Sequence, residues 1–342
     1  LKLDMIGTID ASLSIPHCGI RPRRAFQGAP LLLFTLRRLV LAIPTLLGVS
    51  LVVFGLVHMA PGNPIDMLMP PEASPEAIAQ MKAAYGFDQP LYIQYFLWLG
   101  HAMVGQFGLS VFNATPVWDQ LIVALINTFQ LAVLAAFFGF GFGIILGLLS
   151  AVYYGRWQDK LFSAITTTGV SLPHYWCAIV LVMICAVLHD WLPAQGMGDD
   201  SLPFYDRLEY MVLPVVTLML IPMGVVGRLV RARALDIISQ DFVGALTAKG
   251  LTRWPVIRHI CKNAAPPVLA LMGLQFGYLL GGSILIETVF NWPGSGNLLN
   301  LAIFRRDIPV LQATILVLAT FFVLLNLAVD VAQAAIDPRI RR

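Results

Sequence analysis

ALINTFQLAVLAAFFGFGFGIILGLLSAVYY, residues 124–154, runs for 31 residues without a charged side chain. A helix needs about 20 mostly apolar residues to cross the hydrocarbon core of a bilayer. Five more stretches meet the same length and polarity: 39–59, 161–188, 210–229, 264–289 and 308–329. The whole chain agrees with them. It is 58% hydrophobic and only 12% charged over 342 residues, with a mean hydropathy of +0.78, where soluble domains average about 25% charged residues. Disorder and a water-soluble fold are therefore excluded, and the lipid bilayer is the first partner. The net charge of +3 is too small to argue for nucleic acid. The reading is an all-α integral membrane protein with six transmembrane helices.

An even number of spans puts both termini on one side, and the basic residues choose which. Eighteen of the 22 fall before the first span, in the second-to-third and fourth-to-fifth connections, or at the C-terminus. Seven of those, Arg228, Arg231, Arg233, Lys249, Arg253, Arg258 and Lys262, surround one connection. The other side holds Lys82, Arg207, Arg305 and Arg306. Both termini and the fourth-to-fifth connection are expected in the cytoplasm.

The organisation follows. Residues 1–33, where Asp4 and Asp10 interrupt any signal-peptide core, read as a disordered cytoplasmic tail, and 34–60 as the first transmembrane helix. Residues 61–120 read as a periplasmic loop with short interfacial helices, one starting at Ser74-Pro75-Glu76 and one carrying Tyr92, Tyr95, Phe96 and Trp98. Residues 121–335 form a five-helix core with a cytoplasmic loop at 233–262, and 336–342 a cytoplasmic tail. Two glycine ladders, Gly139/Gly143/Gly147 and Gly273/Gly277/Gly281, place small residues on one helix stripe, where another helix can approach closely. The run Phe290-Asn291-Trp292-Pro293-Gly294-Ser295-Gly296 breaks helix, and irregular backbone at that depth must pack on protein or line a cavity.

The most informative polar segment is 236–267. Asp241 can cap a helix start. About two helical turns follow, Lys249 suits the negative C-terminal end, and Gly250 can take the left-handed stop. So short a helix is marginal in water and needs a surface, either its own bundle or a soluble partner.

Asp241-Phe242-Val243-Gly244-Ala245-Leu246-Thr247-Ala248-Lys249-Gly250-Leu251 resembles the EAA loop of ABC-importer permeases, and is most similar to the dipeptide/oligopeptide/nickel permease family. Arg37-Arg38 with Pro44, Pro61-Gly62-Asn63-Pro64, Gly105-Gln106-Phe107-Gly108-Leu109-Ser110, Ser171-Leu172-Pro173 with Trp176, Asn263 with Pro267, Glu287 to Gly296, Arg306-Asp307-Ile308-Pro309 and Asp337-Pro338-Arg339 resemble further family motifs in order. The likeness covers about residues 34–342. Gly244, Ala245 and Leu246 stand where the family often has R-T-A, and Thr247 where it has arginine. Asn63 and Gln106 replace aspartates.

The resemblance implies a multi-pass permease subunit of the bacterial inner membrane. Asp241, Phe242, Ala245, Leu246, Ala248, Lys249, Gly250 and Leu251 would couple it to two cytoplasmic ATP-binding subunits. A homologous second permease would complete the pore, and a periplasmic solute-binding protein would deliver peptides or a related small solute, such as a metal–chelator complex. The chain has no P-loop, so it is expected to be non-catalytic and without a cofactor, ATP being used by the partners.

Intramembrane polar groups are candidates for the translocation path: Asn127, Gln130, Gln275 and Glu287, with Trp292 in the irregular run; for Glu287, which precedes that run, the other reading is a brace for the turn. Asn326 and Asp330, one turn apart in the last span, suit a structural bond. His174/Cys177 and Cys185/His189 have helix-face spacing for a metal but form only pairs, so no metal site is assigned. The alternative of a self-contained secondary transporter predicts inverted repeats and an embedded ionisable relay, neither of which is evident.

Overall fold

The computed structural model describes residues 31–59, 89–198 and 204–336. The expected helix at Ser74 and the two terminal tails lie largely or wholly outside these residues. The elements are α1 (Leu31–Met59), α2 (Leu91–Met103), α3 (Val117–Val152), α4 (Trp157–Ser171), α5 (His174–Leu181) continuing as a π-helical stretch (Val182–Leu188), α6 (Phe204–Ile238), α7 (Asp241–Ala248), α8 (Arg253–Gly282), α9 (Ile284–Val289), α10 (Ser295–Arg305) and α11 (Ile308–Ile336). Among the described residues the only β pairing is one isolated bridge, Leu109 with Pro116.

Among the described residues, five helices are long and apolar enough to cross a membrane alone. The third expected span, 161–188, is not one helix. α4 and the α5–π segment meet at 100°. Pro173 lacks an N–H and disfavours helical backbone in the residue before it, and Leu172 is accordingly extended at φ −84°, ψ 134°. Prolines elsewhere do not break their helices: Pro214 and Pro222 lie inside α6, and Pro266 and Pro267 inside α8. Several spans also run beyond their apolar cores, α6 by about two turns at each end.

The core is built on α3 against α6. A Cβ on Gly139 would stand 3.0 Å from the Met219 carbonyl oxygen, one on Gly143 2.8 Å from that of Met223, and one on Gly147 2.5 Å from that of Gly227. The first ladder is thus a close helix seam, in which absent side chains let the backbones touch. Around it Leu131, Ala135, Ala136, Leu213, Leu218, Leu279, Ile286 and Trp292 form the main apolar cluster. The second ladder packs α8 on α11, Gly273 against Val329 and Gly277 against Phe322, while Gly281 faces open space.

α1 lies on α11, joined by an Arg38–Asp330 ion pair at 2.9 Å. That pair, with Asn326 Nδ2 donating to the Phe322 carbonyl at 2.9 Å, answers the structural bond expected of the last span. α1 also holds α2: Ser50 and Tyr95 hydroxyls bond at 2.8 Å, and Phe54 packs edge-on against Tyr95. Tyr92 and Phe96 are left exposed on the far side of α2.

Candidate functional site

Two polar constructions sit at opposite ends of α8. At its C-terminal end the chain turns through α9, reverses at residues 290–294 and re-enters as α10. Glu287, fully buried, organises this hairpin. Its Oε1 accepts from Ser283 Oγ at 2.7 Å and from Thr128 Oγ1 at 2.8 Å. Its Oε2 accepts from the backbone N–H of Gly296 at 2.7 Å and of Asn297 at 3.1 Å. These two amides belong to the first turn of α10, whose N–H groups have no partner within the helix. Gly294, the residue before that helix, offers no side-chain cap, so the cap comes from Glu287, nine residues before Gly296. The Ser295 N–H donates to Thr128 Oγ1 at 2.7 Å.

Asn127 and Trp292 complete the hairpin's attachment to α3. Asn127 Nδ2 donates to the Pro293 carbonyl at 2.9 Å, and Trp292 Nε1 donates to the Asn127 carbonyl at 3.2 Å. Asn297 Nδ2 donates to the Trp292 carbonyl at 3.0 Å. Three of the five residues named for the path, Asn127, Glu287 and Trp292, are therefore brought together, buried and fully bonded to one another's neighbourhood. Gln275 is separate, at 9% exposure on α8, and its Nε2 has no partner among the described residues. Gln130 is exposed on α3. A second buried acid, Asp307, quoted above within a motif but not named for the path, lies next to this end. It bonds the Ser110 hydroxyl, and its Oδ1 accepts from the N–H of Val111 at 3.3 Å and of Val310 at 3.4 Å. It thereby pins the Gly108–Pro116 turn to the start of α11.

At the other end of α8, α7 is the short helix expected at 241. Asp241 is its first residue rather than its cap. Gln240 holds the cap position and makes no side-chain cap bond. An acid in the first turn still complements the helix dipole. Gly250 stops the helix at φ +77°, in the left-handed region that glycine enters without a steric cost.

The helix has two faces. Val243 is buried with Ile237 of α6 and Val256 of α8, and Phe242, Leu246 and Leu251 pack against them. Asp241, Gly244, Ala245, Ala248 and Lys249 are exposed, and the first four recur at the 3–4-residue spacing of one helix stripe. So the residues named for coupling divide: Phe242, Leu246 and Leu251 hold the helix down, and Asp241, Ala245, Ala248, Lys249 and Gly250 face outward. A Cβ on Gly244 would meet nothing, so this face is low and flat.

His189 Nδ1 bonds the Ile184 carbonyl at 2.9 Å and its ring packs on Trp191. Among the described residues no three His, Cys, Asp or Glu side chains form a metal cage.

A bundle of five spans and a broken sixth, with a short two-faced helix between the fourth and fifth, defines a membrane permease of the ABC-importer class. The model for "Binding-protein-dependent transport system inner membrane component" matches residues 143–342, and that for "Binding-prot-dependent transport system membrane comp, N-term" matches 31–132. The chain belongs to this permease family. It is similar to the glutathione transport system permease protein GsiC of Escherichia coli (strain K12), 40% identical over 309 residues, 90% of this chain and 98% of that one. GsiC of Salmonella typhimurium (strain LT2) is 38% identical over the same shares. Among solved structures, an inward facing form of the MetNI methionine ABC transporter matches with a TM-score of 0.53 at 19% identity, covering 64% of this chain and 96% of that one. That likeness concerns the fold.

Proposed function

We propose that this permease carries glutathione or similarly short peptides inward, as one half of a pore completed by a second permease. The match to GsiC over 90% of this chain supports the choice of solute. The charge distribution supports an orientation with both termini and α7 in the cytoplasm. The exposed stripe of α7 then meets an ATP-binding subunit, while Val243 and Phe242 fasten the same helix to α6 and α8. ATP is hydrolysed in those partners. A soluble binding protein delivers solute at the opposite end, beside the α9–α10 hairpin. In this reading Gln130 faces the path. Asn127, Glu287 and Trp292 shape its outer end by holding the hairpin, and Gln275 places an amide in the bundle interior.

Gentle-detergent purification from the native host, followed by mass spectrometry, tests the assembly. Co-purification of nucleotide-binding subunits and a second permease is expected, and purification alone overturns it. Uptake of radiolabelled glutathione by the recovered complex in vesicles, with ATP inside, tests the solute. ATP-driven uptake of a dipeptide with none of glutathione would remove the glutathione assignment and leave the importer. Deleting 242–249 is expected to abolish uptake while leaving the chain in the membrane.

A further inference from the structure

A third polar construction ties the cytoplasmic ends of α3, α4 and α6 together. Arg231 of α6 holds Asp159 of α4 with both arms of its guanidinium, Nε to Oδ1 at 2.9 Å and Nη2 to Oδ2 at 2.9 Å. The Asp159 side chain is 7% exposed. Its remaining acceptor capacity is filled by Ser150 Oγ of α3 at 2.5 Å, the Gly155 N–H at 3.1 Å and Ser163 Oγ at 3.3 Å. The guanidinium also lies 5.6 Å from the centre of the Tyr154 ring. Taking such a pair out of water costs much of what its attraction returns, and apolar packing holds helices together as well. What a two-pronged fork adds is a single allowed register, because both short bonds fail if one helix slides.

The position of the fork gives that register a use. From Arg231, α6 runs unbroken to Ile238, and only Ser239 and Gln240 separate it from α7. Those two residues are themselves bonded: Ser239 N to the Leu235 carbonyl at 3.2 Å, Gln240 N to that of Ile237 at 3.1 Å, and Val243 N to that of Gln240 at 3.0 Å. The α3–α6 seam at Gly139, Gly143 and Gly147 continues the same attachment through the membrane.

We infer that Asp159 and Arg231 are positioning residues that clasp the α3–α4 hairpin to the coupling helix, so that a displacement of α7 by the ATPases moves α3, and with it the pore wall, as one body. The clasp rests on the proposed role of α7.

The test uses the complete complex in nanodiscs, with the four native cysteines replaced by alanine and Gln130→Cys as a reporter on α3. The rate of its reaction with a water-soluble maleimide is read with and without ATP plus vanadate, alongside ATP hydrolysis. With the clasp intact, nucleotide changes the rate about tenfold, as a two-state shift in access requires. Asp159→Asn cuts that change to under about twofold while hydrolysis stays within about twofold. Arg231→Lys, which keeps the charge and loses the fork, falls between. If Asp159→Asn does not assemble, Arg231→Lys decides alone, and a full response in it overturns the clasp. A full response in both variants, with the reporter silent in the 242–249 deletion, overturns the clasp and leaves coupling through α7. A reporter that still responds in that deletion, or that never responds with the clasp intact, overturns both.

Discussion

Glu287 offers the sharpest test of what the polar hairpin is for. Its carboxyl accepts four hydrogen bonds, and replacements differ in how many can be kept. In Glu287→Gln one oxygen becomes an NH2. Placed toward Ser283 and Thr128 it meets hydroxyls that can turn, Ser283 toward the Leu280 carbonyl at 3.3 Å and Thr128 toward Ser295 Oγ at 2.9 Å. The remaining oxygen then keeps both amides of α10, at a cost of about 1–3 kcal/mol. Glu287→Ala leaves the Gly296 and Asn297 amides buried without an acceptor, at about 1–3 kcal/mol each, and opens a cavity at a fully buried position. With a cavity cost of about 2–5 kcal/mol the total is about 4–11 kcal/mol. For a chain of this size that lowers the melting temperature by about 8–22 °C, against about 2–6 °C for the glutamine variant. Thermal unfolding of the detergent-solubilised complex, followed by tryptophan fluorescence, reads the difference. An alanine variant that melts within about 1 °C of the parent and yet no longer transports would refute the reasoning. It would make Glu287 a solute contact instead of a brace.

Other expectations come from single contacts. Gly147→Ala forces a Cβ onto the Gly227 carbonyl and should cost about 1–3 kcal/mol by overpacking. Gly141→Ala, which meets nothing, should be neutral or slightly stabilising in the same melt. Asp307→Ala frees the Gly108–Pro116 turn and uncaps α11, so amide exchange at Val111 and Phe112 should rise while the α3–α6 seam stays protected. Ala245→Trp, on the exposed stripe of α7, should prevent co-purification of the ATP-binding subunits with little change in melting temperature. Phe242→Ala, on the packed face, should lower the melting temperature.

The helices, their number and the sidedness of charge are legible in the amino-acid sequence, because burial in lipid imposes one rule on every 20 residues. The first glycine ladder is legible as a packing stripe for a similar reason: spacing of four on a helix is geometry. The break in the third span is less so. Pro173 marks it, yet Pro214, Pro222, Pro266 and Pro267 sit within continuous helices. A proline breaks a helix only where neighbours do not re-satisfy the carbonyls it frees, and those neighbours come from elsewhere in the chain.

The side chains that matter most at each end are the hardest to assign. Glu287 is visible as an acid in a membrane segment, but whether it faces solute or the amides of α10 depends on Thr128, 159 residues away, and on a reversal at residues 290–294. Asp159 and Arg231 read as ordinary charges at helix ends, and only folding brings them, 72 residues apart in the chain, into one fork. α7 shows both limits at once. Its length and glycine stop are local backbone chemistry and stand in the sequence, while its start falls one residue earlier than expected, with Gln240 at the cap. Which of its faces is free is settled by Ile237 and Val256 closing over Val243. Local steric rules and the bilayer act on neighbouring residues, so sequence alone determined the elements and the class of protein. Hydrogen bonds between distant helices depend on how the bundle closes, and that was decided only by the tertiary structure.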